Sequence, residues 1–453
     1  MITELSLVVS PKMANPQQTT PPPFEVLISG AGIAGCVLAF WLLKLKGAGR
    51  AIYITIVERA PELRLGGASI DIRGSAVDIV KRMGLEQTVR SKVTNEKGIE
   101  FVDDDGRVFA TFGTSGETEV QSFTSEFEIF RGDLTKIFYD AIKHREEVEF
   151  VWGDRVKDIK QSNMNDTMSS KVEVEFMHKA PQTFDLVVAA DGVGSDIRDL
   201  MLLDKTGRAP SAEECYKPLN MFVSYFTIKD DLLQGSQFAR WHNATGGRVT
   251  FLRPDPSGAT RGNLIHVTDG NPETMTKHRD ALKQGYAAYK KLTREIFQDA
   301  GWLTPEVLEA MESSDDCYSS EVAQIRTDTL WHKNVVLVGD AGYCATPLTG
   351  YGTSLAIIGA YVLAGEIFTQ RENVAGALQG YQDLMLPFVK KVQYIPANGP
   401  QYANPQTQWG IRVMRSIMSI VSWSRVDKLF AKLGSVAALS ENKFPMPDYD
   451  WHE

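Results

Sequence analysis

Three glycines early in the chain have the spacing of a phosphate-binding turn. Gly30, Gly32 and Gly35 form a Gly-x-Gly-x-x-Gly motif. The first glycine allows a tight turn, the second lets the backbone approach a pyrophosphate, and the third permits close helix–strand packing. Glu58 ends the next apolar run, where its carboxylate is placed to accept hydrogen bonds from an adenosine ribose. These residue types predict a dinucleotide site.

The elements around the motif are those that such a site requires. Phe24–Ser29 is a short apolar run, Cys36–Leu45 is rich in apolar helix formers, and Ala51–Val57 is β-branched. The order of strand, glycine turn, helix, strand and acid predicts a βαβ unit with buried parallel strands. This context supports dinucleotide binding but does not separate NAD from FAD.

Two aspartates follow other buried strands further along the chain. Asp191-Gly192 is followed by Ser195 and Arg198, which gives the pattern Asp-Gly-x-x-Ser-x-x-Arg. Gly339-Asp340 follows a second apolar run, and Pro347 comes shortly after it. Either aspartate alone is explained equally well as a helix cap. Their order relative to the glycine motif is the stronger signal.

The three motifs together resemble the class A flavoprotein monooxygenases, the family of para-hydroxybenzoate hydroxylase. The likeness extends over residues 24–370. Within that family the chain looks most similar to the tetracycline-inactivating monooxygenases and their fungal relatives. The segments that carry this closer likeness are 66–74 (GGASIDIRG), 130–134 (FRGDL) and 339–344 (GDAGYC).

The resemblance implies that FAD is the bound cofactor and gives each matched residue a role in holding it. Gly30, Gly32 and Gly35 would cradle the pyrophosphate, Glu58 the ribose, and Arg59 the adenosine side. Asp71 would lie near the inner edge of the flavin, Arg131 near its phosphate or ribityl chain, and Asp340 on the ribityl chain. Asp191 and Gly192 would link the cofactor and substrate regions. Arg59 and Arg131 as surface ion-pair partners, and Asp71 as a turn cap, remain open alternatives.

A glycine-rich turn follows Pro347 and begins a long apolar segment. Gly350 and Gly352 flank Tyr351 at the start of the helix predicted over Tyr351–Phe368. The N–H groups and the dipole at such a helix start could stabilise an anionic reduced flavin. The turn therefore adds Gly350 and Gly352 to the candidate cofactor site.

The resemblance also implies a reaction. NADPH would reduce FAD, O₂ would form a C4a-hydroperoxyflavin, and one oxygen atom would pass to an aromatic or polyketide- or alkaloid-like small molecule by hydroxylation or epoxidation. Because the cofactor supplies this chemistry, the lack of an evident triad or carboxylate pair fits, and no catalytic residue is assigned. Rival hypotheses are a flavin halogenase, whose Trp-x-Trp-x-Ile-Pro signature is absent, a flavin-dependent reductase, and a non-catalytic flavin-containing drug-binding protein.

The predicted fold class is α/β: a Rossmann-like FAD-binding domain of the para-hydroxybenzoate hydroxylase type, an inserted β-rich substrate domain and C-terminal helices. We expect a disordered lead-in at residues 1–23. The FAD-binding domain would comprise 24–97, 119–213 and 314–374, and the substrate domain 98–118 and 214–313. Residues 375–453 would form a C-terminal helical segment. Residues 98–112 are expected to form a hairpin that turns at Asp105-Gly106.

The substrate is expected between the flavin and the β-rich layer. Phe222 is the favoured pocket residue, although a core aromatic is the more common explanation. Arg240, with Trp241 and His242, would contact a polar substrate or lie exposed. Pro347 should form the wall near the reacting flavin atoms. The polar substrate-binding pattern of the tetracycline enzymes is not evident in this sequence.

Charge and cysteine usage limit the partners. The net charge of −9 and pI near 5.5 argue against a nucleic-acid surface and against an anionic membrane surface. Four scattered cysteines predict no metal site and fit a reducing compartment, so we expect a cytoplasmic protein. The absence of a coiled-coil pattern predicts a monomer or weak dimer. The segment Gly410–Leu433 predicts a helix packed across both domains, with a membrane-surface helix as the alternative.

Overall fold

The computed structural model describes residues 23–47, 49–113, 127–161, 171–396, 399–424 and 443–451. The predicted lead-in therefore lies outside the described residues except for Pro23, as does the part of the predicted C-terminal helix beyond Ser424. Residues 443–451, which contain no helix or strand, are called the C-terminal strap below.

The strands run in chain order as follows: β1 Phe24–Ser29, β2 Ile52–Glu58, β3 Ser69–Asp71, β4 Gly98–Val102, β5 Val108–Gly113, β6 Glu128–Phe130, β7 Val148–Trp152, β8 Val156–Gln161, β9 Val172–Phe176, β10 Gln182–Phe184, β11 Leu186–Ala189, β12 Tyr216–Ile228, β13 Phe238–Ala244, β14 Arg248–Pro254, β15 Thr260–Val267, β16 Tyr318–Ile325, β17 Trp331–His332 and β18 Val335–Leu337.

The helices are α1 Ile33–Leu42, α2 Lys44–Gly47, α3 Ser75–Arg82, α4 Glu86–Arg90, α5 Arg131–Asp140, α6 Asp196–Thr206, α7 Ala212–Cys215, α8 Pro272–Gln284, α9 Tyr286–Phe297, α10 Thr304–Ser313, α11 Asp340–Tyr343, α12 Gly352–Thr369, α13 Val374–Val392, α14 Gly399–Ala403 and α15 Gln408–Ser424. A 3₁₀ turn occupies Pro347–Thr349.

A six-stranded sheet in the order β17-β18-β11-β1-β2-β7 forms the centre of the larger part of the molecule. Strands β1, β2, β7, β11 and β18 are parallel, as their near-continuous apolar sequences predict. Helices α1, α12 and α13 cover one face, and α6 with the small sheet β10-β9-β8 covers the other. The predicted βαβ unit and α/β fold class are confirmed.

A seven-stranded sheet in the order β16-β12-β15-β14-β13-β4-β5 forms the second layer. The predicted hairpin at residues 98–112 is present as the antiparallel pair β4 and β5. One departure concerns Tyr318–Ile325, which pairs with β12 in this sheet although the predicted FAD-binding range 314–374 contains it. A strand's apolar pattern does not reveal which sheet it joins. We propose that the substrate domain ends, and the FAD-binding domain resumes, after Ile325.

Helix α12 lies at the centre of the apolar core of the FAD-binding part. It is long and apolar enough to cross a membrane, with a mean hydropathy of 1.4, but 72% of it is buried inside the protein. Its neighbours are α1, α3 and α13, and the aromatic residues of the C-terminal strap cover its far end. A helix that is apolar all round is expected at the centre of a large core, and α12 has that position.

Candidate cofactor and substrate site

The glycine turn packs its backbone tightly on one side and leaves space on the other. Gly30 has a φ of +111°, and a Cβ atom there would collide with the carbonyl of Ala190. A Cβ on Gly35 would collide with the carbonyl of Gly30. By contrast, a Cβ on Gly32 would meet no protein atom within 4 Å, and α1 begins there without a side-chain cap. The first turn of α1 therefore presents free N–H groups to an open space, as a phosphate site requires.

The Glu58 carboxylate is fixed beside this turn by the backbone. Its Oε2 accepts the N–H of Ala31 at 3.1 Å and its Oε1 accepts the N–H of Ala60 at 3.0 Å. Glu58 is only 7% exposed. Because a carboxylate oxygen accepts more than one hydrogen bond, both oxygens retain acceptor capacity for ribose hydroxyls. This geometry fits the role predicted for Glu58.

The Gly339-Asp340 motif meets the starts of two helices. A Cβ on Gly339 would lie 3.1 Å from the Cβ of Ala34 in α1 and 3.5 Å from that of Ala356 in α12. A Cβ on Gly352, the first residue of α12, would lie 4.0 Å from Asp340 Oδ1. The fold thus gathers three segments that are far apart in sequence at one point. Their convergence places Asp340 between the phosphate-binding turn and the start of α12.

Asp340 is held in a low-polarity environment. Burial raises the pKa of its carboxyl, while the positive charge of Arg131 and a hydrogen bond with the Cys344 thiol act in the opposite direction. Arg131 begins α5, and its aliphatic stem lies beside Gly67, 3.2 Å from where a Cβ would stand. The structure therefore brings Arg131 within electrostatic reach of Asp340. Cys344 was not among the predicted site residues.

Asp71 has a charged partner that no sequence motif predicts. Arg73 Nη2 donates to Asp71 Oδ2 at 2.7 Å, and the guanidinium carbon of Arg73 lies 3.3 Å from the Cβ position of Gly350. Gly350 has a φ of +64°, which glycine adopts without strain. Asp71 Oδ1 is buried without a hydrogen-bond partner among the described residues. The pair thus joins β3 to the turn before α12, and Arg73 is a site residue that the sequence reasoning missed.

Asp191 lies at the carboxyl end of β11. Burial raises the pKa of Asp191 to about 6, although the Ser195 hydroxyl donates to it. Ser195 also caps α6 by accepting the N–H of Arg198 at 3.0 Å. Gly192 adjoins open space, with a φ of +88°. The helix cap is therefore supplied by Ser195, and the role of Asp191 beside the cofactor stays a prediction.

Arg198 connects the two aspartate motifs. Its Nη1 donates to the carbonyl of Val193 at 2.8 Å and to that of Ala341 at 3.2 Å. The residue is 6% exposed, so these bonds are shielded from water. One guanidinium thereby sets the distance between the turn of Asp191 and the helix of Asp340. Arg59, in contrast, is exposed and makes no ion pair with any residue of the described ranges.

The predicted substrate contacts Phe222 and Arg240 lie on the face of the seven-stranded sheet that helices α8 to α10 cover. Phe222 is 1% exposed and stacks on His278 of α8 at 4.0 Å, with Met275 and Tyr289 in the same cluster. Arg240 is paired across the sheet with Leu252, which packs under α10, and its Nε donates to Glu100 at 3.3 Å. Side chains alternate between the two faces of a strand. The sequence shows that alternation but does not tell which face the helices cover.

The opposite face carries aromatic side chains towards the FAD-binding part. Trp241 and Phe251 pack with ring centroids 4.9 Å apart, and Tyr225 stacks on Tyr318 at 4.9 Å. Gln324, on the same face as Val322, donates to the carbonyl of Ala345, two residues before Pro347. Pro347 itself is exposed. The segment before the Pro347 turn therefore lies against β16, the edge strand of this sheet.

A dinucleotide flavin fits these residues. Gly32 leaves the space that a pyrophosphate needs, Glu58 offers ribose acceptors, and Asp340 holds a buried carboxylate beside the start of α12. Asp71 Oδ1 and Asp191 Oδ1 are buried acceptors without partners among the described residues. Buried polar atoms are rarely left unpaired. Such atoms in the predicted site are consistent with a polar ligand that completes it.

A family model described as an FAD binding domain matches residues 23–393. Among curated proteins, the chain is 35% identical over 433 residues to monooxygenase CTB7 of Cercospora beticola, covering 94% of this chain and 98% of that protein. It is 32% identical over 429 residues to the FAD-dependent monooxygenase asL4 of Sarocladium schorii, covering 90% and 94% respectively.

Solved structures agree with these relatives. The tetracycline destructase Tet(51) superposes with a TM-score of 0.71 at 27% identity, over 95% of this chain and 100% of that one. HpxO of Klebsiella pneumoniae, solved with FAD and uric acid, superposes with a TM-score of 0.67 at 19% identity, over 92% of this chain and 97% of that one, and shows the shared fold alone. The matched domain, the relatives and the geometry lead to one conclusion: the chain belongs to the FAD-binding-domain family of flavin monooxygenases and is an FAD-dependent monooxygenase.

Proposed function

We propose that this monooxygenase consumes NADPH and O₂ to hydroxylate or epoxidise a flat aromatic or polyketide- or alkaloid-like small molecule. The observation that carries the proposal is the convergence of Gly339-Asp340 with the starts of α1 and α12. The bond from Gln324 to the carbonyl of Ala345 joins this point to β16, the edge strand of the sheet that carries the aromatic rings. When bound and reduced, FAD supplies the activation of O₂ for transfer of one oxygen atom.

The chain's own residues would hold the cofactor in three places. The N–H groups at the start of α1 would bind the pyrophosphate, and Glu58 would accept the ribose hydroxyls. Asp340, with Arg131 close by, would accept a hydrogen bond from the ribityl chain. Asp191 and Gly192 would border the path between cofactor and substrate, and Arg59 would lie on the adenosine side.

The start of α12 would stabilise negative charge on the pyrimidine side of the flavin. The N–H groups in the first turn of α12, which begins at Gly352, point out of the helix end, and the helix dipole adds to their effect. Tyr351 is buried and packs in the main core, which fixes the turn. A preorganised set of donors costs no rearrangement during the reaction. Arg73, beside Gly350, would add a positive charge to the same end of the site.

The aromatic face would recognise a flat substrate by stacking. Trp241 and Phe251 offer ring faces on this side of the sheet, and aromatic pairs contribute about 0.5–1.5 kcal/mol beyond the area they bury. Trp241 Nε1 donates to Asn243 Oδ1 at 2.9 Å, and Asn243 in turn donates to Asn404. This chain of bonds fixes the orientation of the indole. The substrate would lie between these rings and the Pro347 turn, in a site that excludes water from the reacting atoms.

The test is a panel of aromatic polyketides, phenols and indole alkaloids incubated with the FAD-loaded enzyme and NADPH. We expect substrate-dependent loss of NADPH, matching uptake of O₂, and a product heavier by one oxygen atom. Parallel reactions with NADH would define the reductant. Product formation without O₂ uptake would indicate a reductase. Tight ligand binding with no NADPH oxidation for any compound would indicate a sequestering protein and contradict the proposal.

A further inference from the structure

Helix α15 has apolar side chains on two sides, and only one of them is packed. Ile411 is 1% exposed, and Ser422 exchanges hydrogen bonds with the backbone of Thr111 in β5, accepting at 3.1 Å and donating at 3.3 Å. Arg415 donates to Asp104 at 3.3 Å. These contacts attach α15 to the hairpin β4–β5 and, through fewer contacts, to β13. The inner side of the helix therefore packs on the hairpin β4–β5 and on β13.

The outer side of α15 is an exposed apolar stripe, defined here as Trp409, Val413, Ile417, Ile420 and Trp423. Their exposed fractions are 74%, 37%, 57%, 64% and 88% in that order. The spacings of four, four, three and three residues place all five on one helix face. Scattered single apolar residues are ordinary on a protein surface, whereas a contiguous group of this kind marks an interaction site.

The charge of α15 differs from that of the rest of the chain. The chain has a net charge of −9, but α15 contains Arg412 and Arg415 and no aspartate or glutamate. Arg415 is engaged with Asp104 on the inner side. Arg412 is exposed among the residues of the stripe and makes no ion pair with any residue in the described ranges. The stripe thus combines apolar side chains with an available cation.

These features favour an anionic lipid surface over a second copy of the chain. Antiparallel pairing of two stripes would bring together two helices that each carry Arg412, unpaired within the described ranges, and no acidic residue of their own. A lipid surface instead takes up tryptophans at the headgroup level, apolar residues below it and arginines beside its phosphates. The two tryptophans stand at opposite ends of a helix about 25 Å long, as a helix lying flat in the interface requires.

We propose that α15 docks the protein on an anionic lipid surface, with the stripe inserted in the headgroup region and the helix parallel to the membrane plane. Because α15 rests on β5 and β13, docking would hold the edge of the substrate sheet, including the strand of Trp241, at the bilayer. Apolar compounds partition into bilayers, so the enzyme would meet them where they are concentrated. This departs from the expectation based on the net charge of the whole chain.

The experiment uses the FAD-loaded full chain and sedimentation with vesicles. We expect binding to vesicles of phosphatidylcholine and phosphatidylserine at about 70:30, and about fivefold weaker binding to phosphatidylcholine alone. The double variant Trp409→Ser, Ile420→Ser should lose most of the binding. A control with Tyr53→Ser and Tyr286→Ser changes residues that are 55% and 64% exposed on other elements and should bind normally.

A second variant tests the charge separately from the apolar stripe. Arg412→Gln should weaken binding to the anionic vesicles by about fivefold at low salt and less at high salt, because one basic residue near the surface contributes roughly that much. All variants should retain bound FAD, which shows that they fold. Absence of vesicle binding by the parent chain, or equal binding by the stripe and control variants, would overturn the proposal. A dimer in light scattering that the stripe variant abolishes would assign the stripe to a second copy instead.

Discussion

The backbone N–H of Ala31, in the middle of the glycine turn, donates to the Glu58 carboxylate at 3.1 Å. The acid at the end of β2 and the turn after β1 are therefore one unit rather than two independent contacts with a ligand. Glu58 is oriented before a nucleotide arrives, and its second oxygen is fixed by Ala60. Preorganisation of this kind reduces the ordering cost of binding.

Replacing Glu58 by Gln should weaken FAD binding without unfolding the protein. The amide keeps one acceptor oxygen but replaces the other by an N–H₂ group that cannot accept from the backbone. Hydrogen bonds to charged groups contribute about 1.5–3 kcal/mol, so we expect a Kd for FAD that is roughly 10- to 100-fold higher. Fluorescence titration of the apoprotein measures it. Glu62→Gln, an exposed acid in the following loop, is the matched control and should leave the Kd unchanged.

Alanine at Gly30 and at Gly32 should have opposite consequences. At Gly30 a Cβ collides with Ala190 and the φ is +111°, so the free energy of unfolding of the apoprotein should fall by more than about 1 kcal/mol. At Gly32 the Cβ meets no protein atom, so stability should hold while the methyl occupies the pyrophosphate space and FAD binding is lost. Thermal unfolding of the apoproteins and FAD titration separate the two. Normal FAD binding by Gly32→Ala would contradict the assigned pyrophosphate position.

Asp191→Asn should stabilise the apoprotein at neutral pH but not in acid. The folded-state pKa of Asp191 is about 6, above its ordinary value of 3.8, so the folded protein holds the proton more tightly than the unfolded chain. The free energy of unfolding therefore falls as the pH rises from about 4 to 6, and it stays lower above pH 6. Asparagine carries no charge to bury. Its stabilising effect should be largest at pH 7 and vanish near pH 4 in denaturant titrations, and a gain independent of pH would refute this account.

Phe222→Ala and Phe251→Ala test which face of the sheet meets the substrate. Phe222 is buried against α8, so its truncation should cost about 3–5 kcal/mol of folding stability with little change in KM. Phe251 is only partly buried on the aromatic face, so its loss should mainly raise the KM, by about tenfold for an aromatic substrate. Steady-state kinetics and chemical denaturation together measure this. A raised KM for Phe222→Ala, with lost stability for Phe251→Ala, would place the substrate on the face of Phe222 and contradict the prediction.

The elements of the cofactor half were predictable because they depend on local sequence. Glycine spacing, apolar runs and an acid at a strand end determine the βαβ unit, and the chain forms it at Phe24–Glu58. The meeting of Arg73 with Gly350 joins residues that are distant in the chain, and no local pattern encodes it. The packing of Phe222 against α8 could not be predicted for a related reason. The alternation of side chains along a strand separates the two faces of the sheet. Only the packing of α8 to α10 determines which of these faces is buried.

Helix α12 ties the cofactor site to the other end of the molecule. The turn at Gly352 begins this helix, and about 20 Å along it Gly365 packs directly against the ring of Tyr449 in the C-terminal strap. Tyr449 also donates to Glu366 at 2.9 Å. The strap therefore holds one end of α12 in place, and the opposite end of this helix begins the proposed flavin site. Tags fused there, or trimming of the strap, should show up as poorer retention of the yellow cofactor.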